Sequence, residues 1–289
     1  MRKIDMRIGG ITFSFDSEKE LIIEPKLSAF CVDAKEKPEV KVQIHWNYDL
    51  AKKPASEMAG QDLIQNYYIE GDIKYCVTRG GHKGAVGIAV YSEDIQEIDC
   101  WINDRDFHQQ IYTLGWIMRL LPMREIFQHY GIIFFHAAQI AVGTNGILFT
   151  GPSQTGKSTQ AALWEKHEQA KLLCGDRTLL RKNDGLWKCF GYPIDGSSPV
   201  RSTEVTNLKA IVLLGQAEKN YIERLKGASA IAMLLPQLVI DTWSGEARQK
   251  GAEALSELLK DVPVYKLFCT PDKRAVDILK RQLIEDGMT

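Results

Sequence analysis

The sequence predicts an α/β (α+β) chain in two parts. Residues 1–102 form a β-rich N-terminal region, residues 103–130 supply linking helices, and residues 131–289 form a domain in which strands and helices alternate around a glycine-rich loop. Three observations carry this reading. Short apolar or alternating runs bounded by turn residues fill the first hundred positions, the pattern of strands rather than helices. The long apolar run Ile132–Val142 is followed by a turn signal and a second run, Ile147–Thr150, that leads straight into glycine. Segments of helical spacing appear only from about residue 105 onward.

In the N-terminal region, Ile11–Phe15, Val40–Ile44, Tyr75–Val77, Ala85–Tyr91 and Ile95–Ile102 read as strands. Between two of them lies Arg79-Gly80-Gly81-His82-Lys83-Gly84, a turn-rich stretch of hairpin type. That loop could touch an acceptor, but its composition is that of an ordinary hairpin connection. Asp104 is placed to cap a helix carrying Phe107, Ile111, Leu114, Ile117, Met118 and Leu121. Pro122 ends that helix or opens a second one, through about Tyr130.

Beyond Gly131 the expected order is strand Ile132–Val142, turn Thr144-Asn145-Gly146, strand Ile147–Thr150, and a helix from Lys157 to about Glu168. Strands follow at Lys171–Cys174, Thr178–Lys182 and Leu186–Phe190, the last two joined by the turn Asn183-Asp184-Gly185. Lys209–Leu214 and Tyr221–Leu225 are strands, Ala228–Leu235 and Glu246–Leu259 helices, Val264–Phe268 a strand and Asp272–Glu285 a final helix. Trp116, Trp164 and Trp187 read as packing residues rather than stacking platforms.

Bulk properties exclude several classes. The chain has 289 residues, 45% of them hydrophobic and 25% charged, with a net charge of −1. That balance suits a chain with a buried core, and the lack of a basic excess argues against nucleic acid as a partner. Cys31, Cys76, Cys100, Cys174, Cys189 and Cys269 are scattered without CxxC or zinc spacing, as expected of small buried hydrophobes. Met1 to Gly10 lacks the apolar core of a secretory leader, and no run of 18 apolar residues predicts a membrane span. These features together predict a cytoplasmic protein without a membrane partner.

The chemistry is concentrated in Gly151-Pro152-Ser153-Gln154-Thr155-Gly156-Lys157-Ser158, followed by Thr159, which fits G-x-x-x-x-G-K-[ST] at every position. Glycines at both ends let the backbone curl so that its N–H groups, with the N-terminus of the next helix, form an anion cradle. Lys157 supplies a point charge for the β and γ phosphates, and the Ser158 hydroxyl can ligate magnesium. Background frequencies put a chance match in a chain this long at roughly one in a hundred, and the strand before and helix after it sharpen the assignment. The ligand called for is ATP with Mg²⁺. The loop alone does not name the reaction: it occurs in ABC ATPases, nucleotide kinases and GTPases. Here no LSGGQ-like signature is found, Trp243-Ser244-Gly245-Glu246 being a poor imitation, and no NKxD-type guanine motif.

The surroundings of the loop resemble the HPr serine kinase/phosphorylase superfamily, which shares a core with ATP-dependent phosphoenolpyruvate carboxykinase. Three features over about residues 131–270 carry the resemblance. A strand with a histidine, Phe134-Phe135-His136-Ala137-Ala138, precedes the hairpin that leads into the loop. An aspartate follows the next strand, in Leu172-Leu173-Cys174-Gly175-Asp176-Arg177. A glycine-rich turn, Gly191-Tyr192-Pro193-Ile194-Asp195-Gly196-Ser197-Ser198, follows another hairpin. The resemblance implies that Asp176 acts as base toward an acceptor hydroxyl and sits near the metal, that His136 lies beside the phosphate site, and that Lys157 and Ser158 serve phosphate and magnesium. It also implies a serine on a protein or peptide as acceptor, and, since relatives often assemble, a homo-oligomer. The chain departs from the pattern where the first of two adjacent aspartates is Gly175 and where the loop's internal glycine is Gln154. No segment of it is recognisable as the one with which HPr kinases engage their protein partner, so the likeness is to a divergent relative.

The residues support the same roles. Phosphoryl transfer needs positioning, charge neutralisation and a group that orients the nucleophile, and a strand-end carboxylate beside the loop can supply the last. A strand-end aspartate with a structural role is the alternative for Asp176, and an interior histidine satisfied by hydrogen bonds the alternative for His136. Asp195, Ser197 and Ser198 are candidates for substrate or metal, or turn residues in solvent. Arg177, Arg201 and Arg224 are phosphate clamps or solvated surface arginines. The expected activity is an ATP/Mg-dependent phosphotransferase. The alternatives are a small-molecule kinase, an ATPase, or a non-catalytic nucleotide-binding regulatory module.

Overall fold

The computed structural model describes residues 2–51, 53–106, 112–194 and 200–287. It is a mixed α/β structure that divides into two compact units, Met1–Tyr130 with Asp241–Gly245, and Gly131–Ile240 with Glu246–Thr289. The candidates Phe107 and Ile111 in the linker, and Asp195, Ser197 and Ser198 in the glycine-rich turn, lie outside the described residues.

The first unit opens with β1 (Arg2–Ile8) and β2 (Ile11–Ser17), followed by α1 (Pro25–Ser28), β3 (Cys31–Val32), β4 (Val40–His45) and β5 (Met58–Gln61). Then come β6 (Gln65–Glu70), β7 (Ile73–Arg79), β8 (Ala85–Ser92), β9 (Glu97–Ile102), α2 (Leu114–Leu120) and α3 (Met123–His129). Among the described residues the strands form one nine-stranded sheet in the order β3-β1-β2-β4-β9-β8-β7-β6-β5. The β2–β4 and β4–β9 pairings are parallel, the others antiparallel. Gly9 and Gly10, at φ 61° and 78°, turn β1 into β2 without an added residue, the geometry a two-residue hairpin turn needs. The linker helix starts later than expected. Thr113, not Asp104, caps it, its hydroxyl accepting the Trp116 N–H, whereas Asp104 is paired with Lys19. Pro122 does open a second helix, α3.

The second unit contains β10 (Ile133–Val142), β11 (Asn145–Thr150), α4 (Lys157–Glu168), β12 (Lys171–Cys174), β13 (Arg177–Asn183) and β14 (Leu186–Gly191). After these come β15 (Thr206–Gln216), β16 (Tyr221–Leu225), α5 (Gly227–Leu234), α6 (Gly245–Asp261), β17 (Val264–Cys269) and α7 (Lys273–Glu285). The main strand order is β11-β10-β13-β14-β15-β17-β16, with β12 on β10 and a further parallel pairing of β11 with β15. Strand alternation sends one set of side chains to each face. Ile147, Phe149, Ala210, Val212 and Leu214 meet Ala161 and Trp164 of α4 and Ala275, Val276 and Leu279 of α7. Leu148, Ile211 and Leu213 meet Leu234 of α5 and Leu255 and Leu258 of α6. Helices therefore cover both faces, the usual solution for a sheet buried on two sides.

The turn between β10 and β11 is shifted from its sequence expectation. Val142 pairs with Asn145, so Gly143 (φ 59°) and Thr144 form the turn. Gly146 lies inside the strand, where a side chain would collide with Thr206 Oγ1. The Asn183-Asp184-Gly185 turn is where the sequence puts it, with Asp184 and Gly185 at φ 52° and 77°. No helix of the described residues is long and apolar enough to cross a membrane.

Candidate nucleotide-binding site

The loop Gly151–Ser158 leaves the end of β11 and enters α4 at Lys157. Its backbone uses three left-handed residues, Gly151 (φ 140°), Gln154 (φ 67°) and Gly156 (φ 101°). The two glycines accept that conformation freely. Gln154 carries a side chain there, at the position where the resembling family has glycine. Three side chains brace the loop. Thr155 Oγ1 donates to Pro152 O at 2.8 Å, Gln216 Nε2 donates to Gln154 O at 3.0 Å, and Lys157 Nζ donates to Gly151 O at 2.9 Å and Pro152 O at 3.1 Å. Ser153, Gln154, Ser158 and Thr159 are exposed.

His136 lies on β10, one position from the residue that pairs with Thr150, the last residue before the loop. The Thr150 hydroxyl donates to the His136 carbonyl at 2.8 Å. Asp176 occupies the gap between β12 and β13, both of which pair with β10, and its carbonyl accepts the Ala137 N–H at 2.9 Å. Its carboxylate meets His136 Nε2 at 2.9 Å and lies 3.9 Å from Arg177 Nε. The Arg177 guanidinium sits 5.9 Å above the Phe134 ring. The order of strands β11, β10 and β12/β13 thus gathers loop, histidine and aspartate from three stretches of sequence.

Burial lowers the His136 pKa below its ordinary value; Asp176 opposes this, and the charges of Lys157 and Arg177 reinforce it. Burial also lowers the Lys157 pKa, against the pull of Asp176. Lys157, His136, Asp176 and Arg177 therefore form one electrostatic group, with a cationic balance suited to an anionic ligand.

Beside the loop opens a cleft of about 620 Å³, with Thr155, Thr159, Gln160, Gln216, Glu218 and Cys269 among its lining residues. Gln160, on the first turn of α4, is buried and donates to Cys269 Sγ at 3.3 Å. Gln216 and Cys269 end β15 and β17, which run parallel to each other, and β15 runs parallel to β11. Ligands collect at the carboxyl ends of such strands. That rule is the signal by which Gln216 and Cys269 could have been marked in the sequence, where they were not singled out for the site.

The profile of a family described as SynChlorMet cassette protein ScmC matches residues 98–275, more than half of the chain. The chain belongs to the ScmC family. In this ScmC-family chain the matched stretch contains His136, the whole loop and Asp176. No curated protein matches the sequence. Among solved structures, the HPr(Ser) kinase/phosphatase from Coxiella burnetii is 12% identical, covering 53% of this chain and 98% of that one with a TM-score of 0.32.

The remaining candidates have other surroundings. Arg224 is paired with Asp286 at 3.3 Å, and Arg201 forms an isolated β-bridge with Cys174. At Gly191 a side chain would strike the Ser202 carbonyl, so glycine permits close backbone approach. Trp164 and Trp187 are buried in the two cores of the second unit. All six cysteines are free thiols, five of them buried. Gly81–Lys83 forms a single 3₁₀ turn between β7 and β8.

Proposed function

We propose that the chain is an ATP- and magnesium-dependent phosphotransferase whose acceptor is a hydroxyl, most simply a serine on a protein or peptide. The observation that carries the proposal is the loop itself. A strand runs through three left-handed residues into a helix that opens on Lys157 and Ser158, with the His136–Asp176 pair anchored one strand away. The HPr-kinase-like arrangement of those residues in the sequence supports the same reading.

The triphosphate would take the place of the carbonyls that Lys157 now contacts, since a phosphate oxygen is the stronger partner for an ammonium. The adjoining cleft offers room for the nucleoside, its volume being within the ordinary range for small-ligand sites. Magnesium fits the donor set. Ser158 and Asp176 would hold it, and among the described residues no group of three or more His, Cys, Asp or Glu forms a protein-only metal cage. Magnesium characteristically takes one or two protein oxygens and completes its shell with phosphates and water. When bound, it would neutralise charge on the phosphates.

In the transfer, the acceptor oxygen forms a bond to the γ-phosphorus while the bond from that phosphorus to the β-γ bridging oxygen breaks, and ADP departs. Asp176 takes the hydroxyl proton, His136 holds the Asp176 carboxylate in place, and Lys157 offsets the charge growing on the leaving phosphate. The test is transfer of labelled γ-phosphate to proteins and peptides of a lysate, with Asp176→Ala as control. Label on a macromolecule, lost in the control, is the expected result. Label on a small metabolite moves the acceptor to a free molecule. ATP binding without turnover, unchanged by Asp176→Asn, supports a regulatory module instead, a reading favoured by Gly175 standing where the related kinases carry a further aspartate.

A further inference from the structure

We infer that Gln216 is a positioning residue of the phosphate loop, a latch that sets the orientation of the Gln154–Thr155 peptide. This rests on the nucleotide reading above. Gln154 is the one non-glycine left-handed residue in the loop, at φ 67°. A side chain in that region carries a conformational cost and persists where the surroundings hold it. The contact that holds it comes from outside the loop. Gln216, at the end of β15, donates from Nε2 to the Gln154 carbonyl at 3.0 Å.

The consequence follows from peptide geometry. A trans peptide points its C=O and N–H in opposite directions. Fixing the Gln154 carbonyl toward Gln216 therefore aims the Thr155 N–H the other way, at Pro152 O, which it reaches at 3.4 Å. That contact is longer than a normal N–H···O hydrogen bond, so a phosphate oxygen can replace it at little cost. Pro152 O also receives Lys157 Nζ. The latch thus presents one backbone donor and the loop lysine to the same place. β15 is hydrogen-bonded along β11, the strand that carries the loop, which gives the latch a rigid base.

The experiment is calorimetric titration of the full chain with Mg·ATP and, separately, with Mg·tripolyphosphate, which has phosphates but no nucleoside. Proteins compared are wild type, Gln216→Met, Gln154→Gly and the double variant. Gln216→Met should weaken both ligands about fivefold, the worth of one net hydrogen bond, with the thermal midpoint of the ligand-free protein lowered by no more than about 2–4 °C. In the Gln154→Gly background the same change should cost about twofold or less, because glycine takes the left-handed conformation unaided and the two sites are coupled. Weakened ATP with unaltered tripolyphosphate would make Gln216 a nucleoside contact and overturn the latch. So would unaltered binding of both, or an equal loss in both backgrounds. If the wild type binds neither ligand, the phosphate-site reading fails and the latch with it.

Discussion

Lys157 is held half-buried by carbonyls of its own loop and is destabilised in its charged form by that burial. An incoming polyphosphate would relieve both conditions, which makes Lys157→Ala the most damaging single change for nucleotide binding. Loss of a charge-assisted phosphate contact is worth about 1.5–3 kcal/mol, so Mg·ATP affinity measured by calorimetry should fall roughly tenfold to a hundredfold. Asp176→Ala should spare binding and remove transfer; normal turnover at saturating ATP would contradict its role as base. His136 gives a pH prediction with a definite sign. Its folded pKa lies below the ordinary 6.5, with burial as the largest cause. The unfolded chain therefore takes up this proton first, and the contribution to stability is full above pH 6.5 and is lost as pH falls through the folded value. His136→Gln should flatten the decline of the thermal midpoint just below pH 6.5. Identical slopes in wild type and variant would assign that decline to other groups. The loop residues and the His/Asp pair were readable as candidates because each sits in a short motif of fixed residue type. The bracing of Gln154 by Gln216 was not readable, because it joins positions 62 residues apart through a strand pairing.

At the level of elements, hydrophobic periodicity located most strands and helices of the second unit to within a residue or two. Its errors came where a turn or cap had competing candidates. Glycine at 143 and glycine at 146 both fit a hairpin turn locally, and only the register of Val142 on Asn145 decides between them. Gly146 is then constrained by packing: its hydrogen faces Thr206, whose hydroxyl accepts from the fully buried Gln139. Gly146→Ala should destabilise by about 1–3 kcal/mol through overpacking, read from the midpoint of a urea transition. β1 was legible and went unread: Ile4, Met6 and Ile8 alternate with Lys3, Asp5 and Arg7 as in a strand. The N-terminal unit has an element-scale prediction of its own. Arg124 of α3 binds both Asp62 and Asp241, and the Asp241 carboxyl is raised by burial even against that cation. The Asp62 carboxyl, pushed up by burial, is brought below its usual range by the N–H groups of Ile64 and Gln65 and by Arg124. Arg124→Met would strand two carboxylates, so a loss of about 3–5 kcal/mol is expected, and a loss under about 1 kcal/mol, the scale of an exposed pair, would show that solvent already screens the cluster.

For the molecule as a whole, chain order and spatial order diverge, and this is where sequence reading stops. The segment Asp241–Gly245 belongs to the N-terminal unit although it lies more than a hundred residues beyond Tyr130. Asp241 reaches Arg124 there, and Trp243 stacks on Tyr67 at 5.1 Å over Gly60, where any side chain would collide with the indole. In the sequence the same residues offered only a poor match to an ATPase signature, since nothing local records a partner 117 positions away. The parallel pairing of β11 with β15 is equally non-local, yet it places the phosphate loop and the cleft at one end of the sheet. A ligand bound there stabilises only the folded state, by RT ln(1 + [L]/Kd), or about 2.7 kcal/mol at a hundredfold excess over Kd. For a chain of this size each kcal/mol raises the midpoint by roughly 2–4 °C. Mg·ATP should therefore raise the thermal midpoint by roughly 5–10 °C at that concentration. Lys157→Ala, with affinity down roughly tenfold to a hundredfold, should erase from about half to more than about four fifths of the rise at the same concentration, and Asp176→Ala should retain most of it. A rise that Lys157→Ala left intact would mean that the nucleotide is held elsewhere than on Gly151–Ser158, because stabilisation and binding are one equilibrium.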